Sequence, residues 1–220
     1  VSHETIYRSL FVQAKGALKH ELTGYLRTRR VMRRPRGANK YRGNGMGQLR
    51  AVVSIRERPA EAEDRAVPGH GEGDLIRGTG GSAIGTLVER SSRLVLLVKL
   101  DRVDAVTVAA ALGTHILTLP EHLRRSLTWD QGKEMGRHVQ FTIDTGVQVY
   151  FCDPKSPWQR GSNENTNGLL RQYLPKRTDL KVHTQAELDA IALELNGRPR
   201  QTLKLMTPSE KFAEAVALTP

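Results

Sequence analysis

The stretch GDLIRGTGGSAIGTLVERSSRLVLLVKL, residues 73–100, decides the fold. Its runs DLIRG, GTLVERSS and RLVLLVKL are rich in Leu, Ile and Val and are separated by glycines and serines, so they predict three consecutive strands joined by hairpins. Downstream, DAVTVAAALGTHILTL (104–119) has helical apolar spacing and begins on an Asp able to cap it. SLTWD (126–130) reads as a strand, KEMGRHVQFTIDTG (133–146) as a helix closed by Gly146, and VQVYFCD (147–153) as another strand. Further helices are expected at about 164–173, 184–196 and 208–217. Three antiparallel strands followed by alternating helices and strands predict an α/β domain built on a mixed five-stranded sheet with helices on its faces.

Upstream of residue 50 the character changes. Residues 2–11 and 14–30 read as two helices, the first capped by Ser2, and RRPRGANKYRGNGMGQ then breaks all periodicity with Pro and Gly. The expected organisation is a helical segment over 1–30, a basic linker over 31–60 and a compact α/β domain over 61–220. Of the net charge of +11, residues 1–50 supply +10, from 12 Lys or Arg against 2 acids. Arg27, Arg29, Arg30, Arg33, Arg34, Arg36, Lys40 and Arg42 concentrate that charge, and such a block neutralises phosphates and releases counterions. The alternative is a solvated basic linker with no partner. A single cysteine, Cys152, excludes an internal disulfide and a Cys-rich zinc site. It points to a reducing cytoplasm. No apolar run approaches the ~20 residues of a membrane span, so no membrane partner is expected. The Val1 start gives the expectation of a fragment.

Acids at strand ends are the candidates for chemistry. Phosphodiester reactions run on divalent metals held by a few carboxylates, and hard Mg²⁺ wants oxygen ligands. Asp74 is expected to begin the first strand, after the glycine-rich PGHGEG; alone, it could equally be a turn residue. Asp130 closes a strand, where ligand sites in open α/β sheets concentrate, although an N-capping Asp would look the same. Glu164 follows after 33 intervening residues on a helix whose polar face carries Asn167, Gly168 and Arg171. That face is poor in Lys and Glu and rich in groups that bond phosphates, sugars and base edges. His70, Glu72 and Asp74 alternate, so in a strand they share a face; a His-based metal centre would need further ligands, and the other histidines show no ligand spacing. The glycines are not a phosphate loop, because no Gly-Lys-Ser/Thr follows.

PGHGEGDLI, GTLVERSSR, TWDQGKEM, FCDPKSPWQRGSNENTNGLLRQYLPK and LNGRPRQTLKLMTPSEKF together resemble the insertion-sequence-thirty family of bacterial DDE transposases, from Val1 to about Phe212. The resemblance implies a ribonuclease H-like, integrase-type catalytic core, with Asp74, Asp130 and Glu164 as catalytic triad and ligands of Mg²⁺ or Mn²⁺, two ions in all. It implies double-stranded DNA as partner (element ends and target), cleavage followed by strand transfer, a homodimer or higher oligomer on DNA, and a bacterial, nucleoid-associated location. The N-terminal helices then resemble part of a helix-turn-helix. Glu72, Glu134 and His138 are accessory candidates, and Arg160, Asn163, Asn167 and Arg171 are candidate DNA contacts. At Gly71 the chain departs from the family, where Trp is usual. Losing that anchor on the face opposite Asp74 costs about 3 kcal/mol if the position is buried. Rival readings are therefore a DNA-binding remnant without catalysis and an RNA-directed hydrolase of the same fold.

Overall fold

The computed structural model describes Leu49 and residues 51–63, 65, 67–154 and 156–217. The expected helices at 2–11 and 14–30, and the basic residues from Arg27 to Arg42, lie outside the described residues.

Five strands form one mixed sheet: β1 (His70–Arg77), β2 (Ala83–Glu89), β3 (Val95–Lys99), β4 (Ser126–Trp129) and β5 (Gln148–Phe151), in the order β3-β2-β1-β4-β5. β1, β2 and β3 are antiparallel, while β4 runs parallel to β1 and β5 parallel to β4. The β1–β2 hairpin turns through Gly80 and Gly81 at φ +60° and +70°, a region that costs glycine nothing. Among the described residues, five α-helices accompany the sheet: α1 (Ala105–Ile116), α2 (His138–Thr145), α3 (Gly161–Leu170), α4 (Gln185–Asn196) and α5 (Pro208–Ala217). Asp104 caps α1 by accepting from the Val106 and Thr107 amides, and Thr184 with Glu187 forms a capping box on α4.

Strand alternation sends successive side chains to opposite faces, and this splits the core in two. Leu75, Leu87, Val98, Leu127, Trp129, Val149 and Phe151 pack with Leu112 of α1 and Phe141 of α2. Ile76, Ile84, Val88, Val95 and Leu97 pack with Leu169 and Leu170 of α3 and Leu188 and Leu195 of α4. β1 thus has a face toward α1 and α2, bearing Gly71, Gly73 and Leu75, and a face toward α3, bearing Glu72, Asp74 and Ile76.

Three expectations are corrected. β1 begins at His70, so Asp74 lies inside the strand. The glycines before it are strand residues for a packing reason: a Cβ on Gly73 would stand 2.2 Å from the Trp129 ring. The helix expected over 133–146 is broken at Gly136 into a 3-10 turn, Lys133–Met135, and α2. Residues 51–60, read as the end of the linker, pack onto the domain: Ser54 bridges to Phe151, Ile55 is buried, and Arg58 donates to Thr128 Oγ1 at 3.0 Å.

Gly71 behaves differently from Gly73. Its Cβ would make only ordinary contact, 3.5 Å from Leu127. Beside it lies a small, open apolar hollow lined by Gly69, Gly71, Leu87, Leu96, Ile116 and Leu127. The hollow sits on the face opposite Asp74.

Candidate active site

The site is built where α3 lies over β1. Four residues of helix rise about 6 Å and two of strand about 6.6 Å, so residues spaced by four on α3 meet residues spaced by two on β1. Asn163 donates from its backbone N–H to Glu72 Oε2 at 2.8 Å and from its side-chain amide to the Glu72 carbonyl at 2.9 Å. One turn on, Asn167 donates to Asp74 Oδ2 at 3.1 Å. Beyond that, Leu170 and Ile76 share a hydrophobic cluster.

The floor of this contact is closed. Glu72 has 0% exposure, and its Oε1 faces the Nε of buried Arg90 at 3.4 Å. Asn163 is also 0% exposed, locked to Glu72 and to the Thr86 carbonyl at 3.3 Å. These placements correct two expectations: Glu72 anchors the helix and is no accessory ligand, and Asn163 is sealed away from DNA. His70 is buried as well, its Nδ1 2.8 Å from Ser126 Oγ and its Nε2 3.4 Å from Glu61. Burial pushes the His70 pKa below its ordinary value against the pull of Glu61. His70, Glu72 and Asp74 therefore have three separate sets of partners and form no common centre.

The mouth is open. The β1–β4 ladder pairs Glu72 with Thr128, so two residues on Asp74 comes abreast of Asp130, at the carboxyl end of β4. Between them lies Arg160, from the 3-10 turn Pro157–Arg160 that leads into α3. Its guanidinium stands 3.2 Å from Asp74 Oδ2 and 3.6 Å from Asp130 Oδ2, with side-chain exposures of 8% for Arg160, 24% for Asp74 and 41% for Asp130. It also donates to the Gly73 carbonyl at 3.0 Å. The Leu75 amide donates to Asp74 Oδ1 at 2.8 Å and the Gly132 amide to Asp130 Oδ1 at 2.9 Å. Burial raises the Asp74 pKa and Asp130 adds to this, with Arg160 and the Leu75 amide pulling the other way; the net shift is upward. For Arg160, burial disfavours the charge, but the two aspartates more than offset it and its pKa is raised.

Glu164 is exposed. It follows Arg160 by one helical turn and precedes Asn167 by another, on the stripe whose two neighbours both touch Asp74. Among the described residues, no three His, Cys, Asp or Glu side chains converge closely enough to hold an ion between them, so the structure brings Asp74 and Asp130 together and leaves Glu164 on the adjoining stripe. The donor set nevertheless fits a hard divalent cation. Two carboxylates already converge on one positive group, and Asn167 Oδ1, buried beside Asp74, has no hydrogen-bond partner among the described residues. All these donors are oxygens.

Of the remaining candidates, Glu134 lies in the 3-10 turn and pairs with Arg77 at 3.1 Å, while His138 is buried edge-on to Phe151 at 4.9 Å between ring centroids. The break at Gly136 thus parts two residues expected on one helix face. Arg171 donates to the Leu174 and Arg77 carbonyls at 3.3 and 3.2 Å. Burial pushes the Cys152 thiol up to about 11, which leaves it unreactive. Two residues with a part in the site were not singled out from sequence. Arg90, inside the motif GTLVERSSR, neutralises Glu72, and Thr86 Oγ1 lies 3.1 Å from the Asp74 carbonyl and 3.3 Å from Asn163 Oδ1. The only local signal for Thr86 is a polar side chain in the middle of a largely apolar strand, one that is buried throughout.

Comparison with known proteins agrees with this geometry. The integrase core domain family matches residues 64–157, a range that includes Asp74 and Asp130 and stops short of Glu164. The transposase for insertion sequence element IS1086 of Cupriavidus metallidurans is 53% identical over 218 residues, 99% of this chain and 63% of that protein. Transposase InsI for insertion sequence element IS30A of Escherichia coli strain K12 is 49% identical over 219 residues, 100% of this chain and 57% of that protein. The chain therefore spans about three fifths of the length of these relatives. In fold it is similar to the catalytic core domain of BIV integrase, with a TM-score of 0.52 at 20% identity over 68% of this chain and 96% of that one. This is the ribonuclease H-like arrangement that the resemblance implied. Integrase-core transposases generally depend on a divalent metal. With half of its residues identical along nearly its whole length and an integrase-type sheet beneath them, the chain belongs to the insertion-sequence-thirty family of transposases.

Proposed function

We propose that this chain carries the catalytic core of a transposase that cuts double-stranded DNA at the ends of a mobile element and joins the freed ends to target DNA. Asp74, Asp130 and Glu164 are its reactive carboxylates, and Mg²⁺ or Mn²⁺, as two ions, is its cofactor. The observation that carries this reading is the convergence of Asp74, inside β1, and Asp130, just past the end of the adjacent parallel β4, onto one cationic group. When bound, divalent metal activates the attacking oxygen and stabilises the leaving one. The chain's own residues hold the geometry. The Leu75 amide and Asn167 fix the two oxygens of Asp74, and the Gly132 amide fixes one oxygen of Asp130, so both carboxylates are oriented before substrate arrives. Glu164 enters from the helix side. Arg171 and the basic block from Arg27 to Arg42 grip the DNA backbone, with 1–30 as an end-recognising helical segment and 31 onward as connection to the core. Joining two ends calls for at least a dimer, working on the bacterial nucleoid.

A strand-transfer assay tests this: duplex DNA carrying element ends, the protein, and Mg²⁺, Mn²⁺ or a chelator. The expected result is nicking and joining with either metal, none with chelator, and no preference for an RNA–DNA hybrid. The hollow beside Gly71 favours one second reading, a DNA-binding remnant in which β1 no longer holds Asp74 firmly. It predicts salt-sensitive DNA binding with no metal-dependent cutting, and that outcome would replace the first reading.

A further inference from the structure

The guanidinium of Arg160 occupies the space between Asp74 and Asp130, where the reading above requires metal to be held. Three observations bear on what it does there. The two carboxylates come abreast on neighbouring strands, so without a cation between them their like charges repel. Arg160 supplies that cation from a buried position, tethered by its bond to the Gly73 carbonyl. Arg160 Nε is also buried with no hydrogen-bond partner among the described residues, so one of its donors stays open.

We propose that Arg160 is a built-in placeholder cation: it holds Asp74 and Asp130 together in the metal-free protein, and divalent metal binding to the pair displaces it. Arg160 is thus a positioning residue that competes with the metal for the same oxygens. The displaced guanidinium remains one turn from Glu164, on the stripe that faces the carboxylates, where it can donate to an anionic group of the substrate and so satisfy its Nε–H. This exchange couples metal entry to a free arginine at the mouth of the site. It rests on the metal-dependent reading proposed above.

Because coupling between two occupants is reciprocal, removing Arg160 must tighten metal binding. The test is Mn²⁺ titration of the protein without DNA, followed by calorimetry and by the electron paramagnetic resonance signal of free Mn²⁺. Arg160→Gln is expected to bind Mn²⁺ on the order of ten- to a hundredfold more tightly than wild type, and thermal unfolding of the variant should show a larger Mn²⁺-induced rise. Unchanged or weaker Mn²⁺ binding in Arg160→Gln would overturn the proposal. If that variant does not fold, the wild-type protein decides: Mg²⁺ should move the Arg160 Nε–Hε resonance and speed its exchange with water, and a resonance unmoved at Mg²⁺ saturation contradicts displacement. Asp74→Asn separates the two levels of the argument. Wild-type Mn²⁺ binding that is lost in Asp74→Asn but not tightened in Arg160→Gln sinks the placeholder alone, whereas no Mn²⁺ binding in any of the three proteins sinks both it and the metal-dependent reading.

Discussion

The contact between β1 and α3 has a floor and a mouth, and the two treat a carboxylate in opposite ways. At the floor, Glu72 has no exposed surface, accepts the Asn163 amide and faces buried Arg90. At the mouth two residues away, Asp74 keeps 24% of its side-chain surface, shares Arg160 with Asp130 and adjoins an unsatisfied amide oxygen. The sequence spacing is the same for both acids, and the depth of α3 over the strand separates their roles. A carboxylate sealed from solvent against a helix amide and a buried arginine holds structure together; one at the surface with a neighbouring carboxylate can do chemistry.

Mutations can break that contrast, and the largest effect is expected at the floor. Glu72→Gln removes the charge opposite Arg90 and leaves a buried cation unpaired, which should lower the free energy of unfolding by about 3–5 kcal/mol, measured by urea denaturation. Asp74→Asn leaves Arg160 its Asp130 partner and relieves the burial penalty on Asp74, so it should cost clearly less stability than Glu72→Gln. Equal losses would erase the distinction between floor and mouth. The opposite face of β1 sharpens it with smaller changes. Gly73→Ala drives a methyl group to 2.2 Å from the Trp129 ring and should cost about 1–3 kcal/mol by overpacking. It should also displace the Gly73 carbonyl from Arg160, so reduced strand transfer in the folded fraction is expected. Gly71→Ala, two residues earlier, meets only ordinary contacts and should change stability by no more than about 1 kcal/mol, in the stabilising direction. A large loss at Gly71 would mean that the hollow beside it is not free space.

The succession of strands and helices was legible because hairpin turns, β-branched runs and capped helices are local signals. Asp104, Thr184 and Gly146 mark helix ends where their side-chain chemistry or backbone freedom dictates them. Asp130 was legible for the same reason, as an acid closing a strand. The start of β1 was not. HGEG reads as a glycine-rich approach to the strand until Trp129, 56 positions from Gly73 in the chain, is known to fill the space of the missing side chain. Arg160 and Asn163 read as DNA contacts because their neighbours in sequence are polar, but their partners are Asp74, Asp130 and Glu72 on other elements. Similarly, residues 51–60 read as linker by composition, while Ile55 and Arg58 find their burial against β4 and β5. What no local window contains is the identity of a long-range partner, and that is what distinguishes a buried polar residue from a surface one.

The most direct test of the central claim, that Asp74 serves chemistry while Glu72 serves structure, is Mg²⁺-dependent strand transfer by purified, folded Asp74→Asn beside wild type. The account predicts that Asp74→Asn remains folded and loses activity on the order of 10³-fold, equivalent to about 4 kcal/mol of transition-state stabilisation. Wild-type strand transfer by folded Asp74→Asn would contradict it.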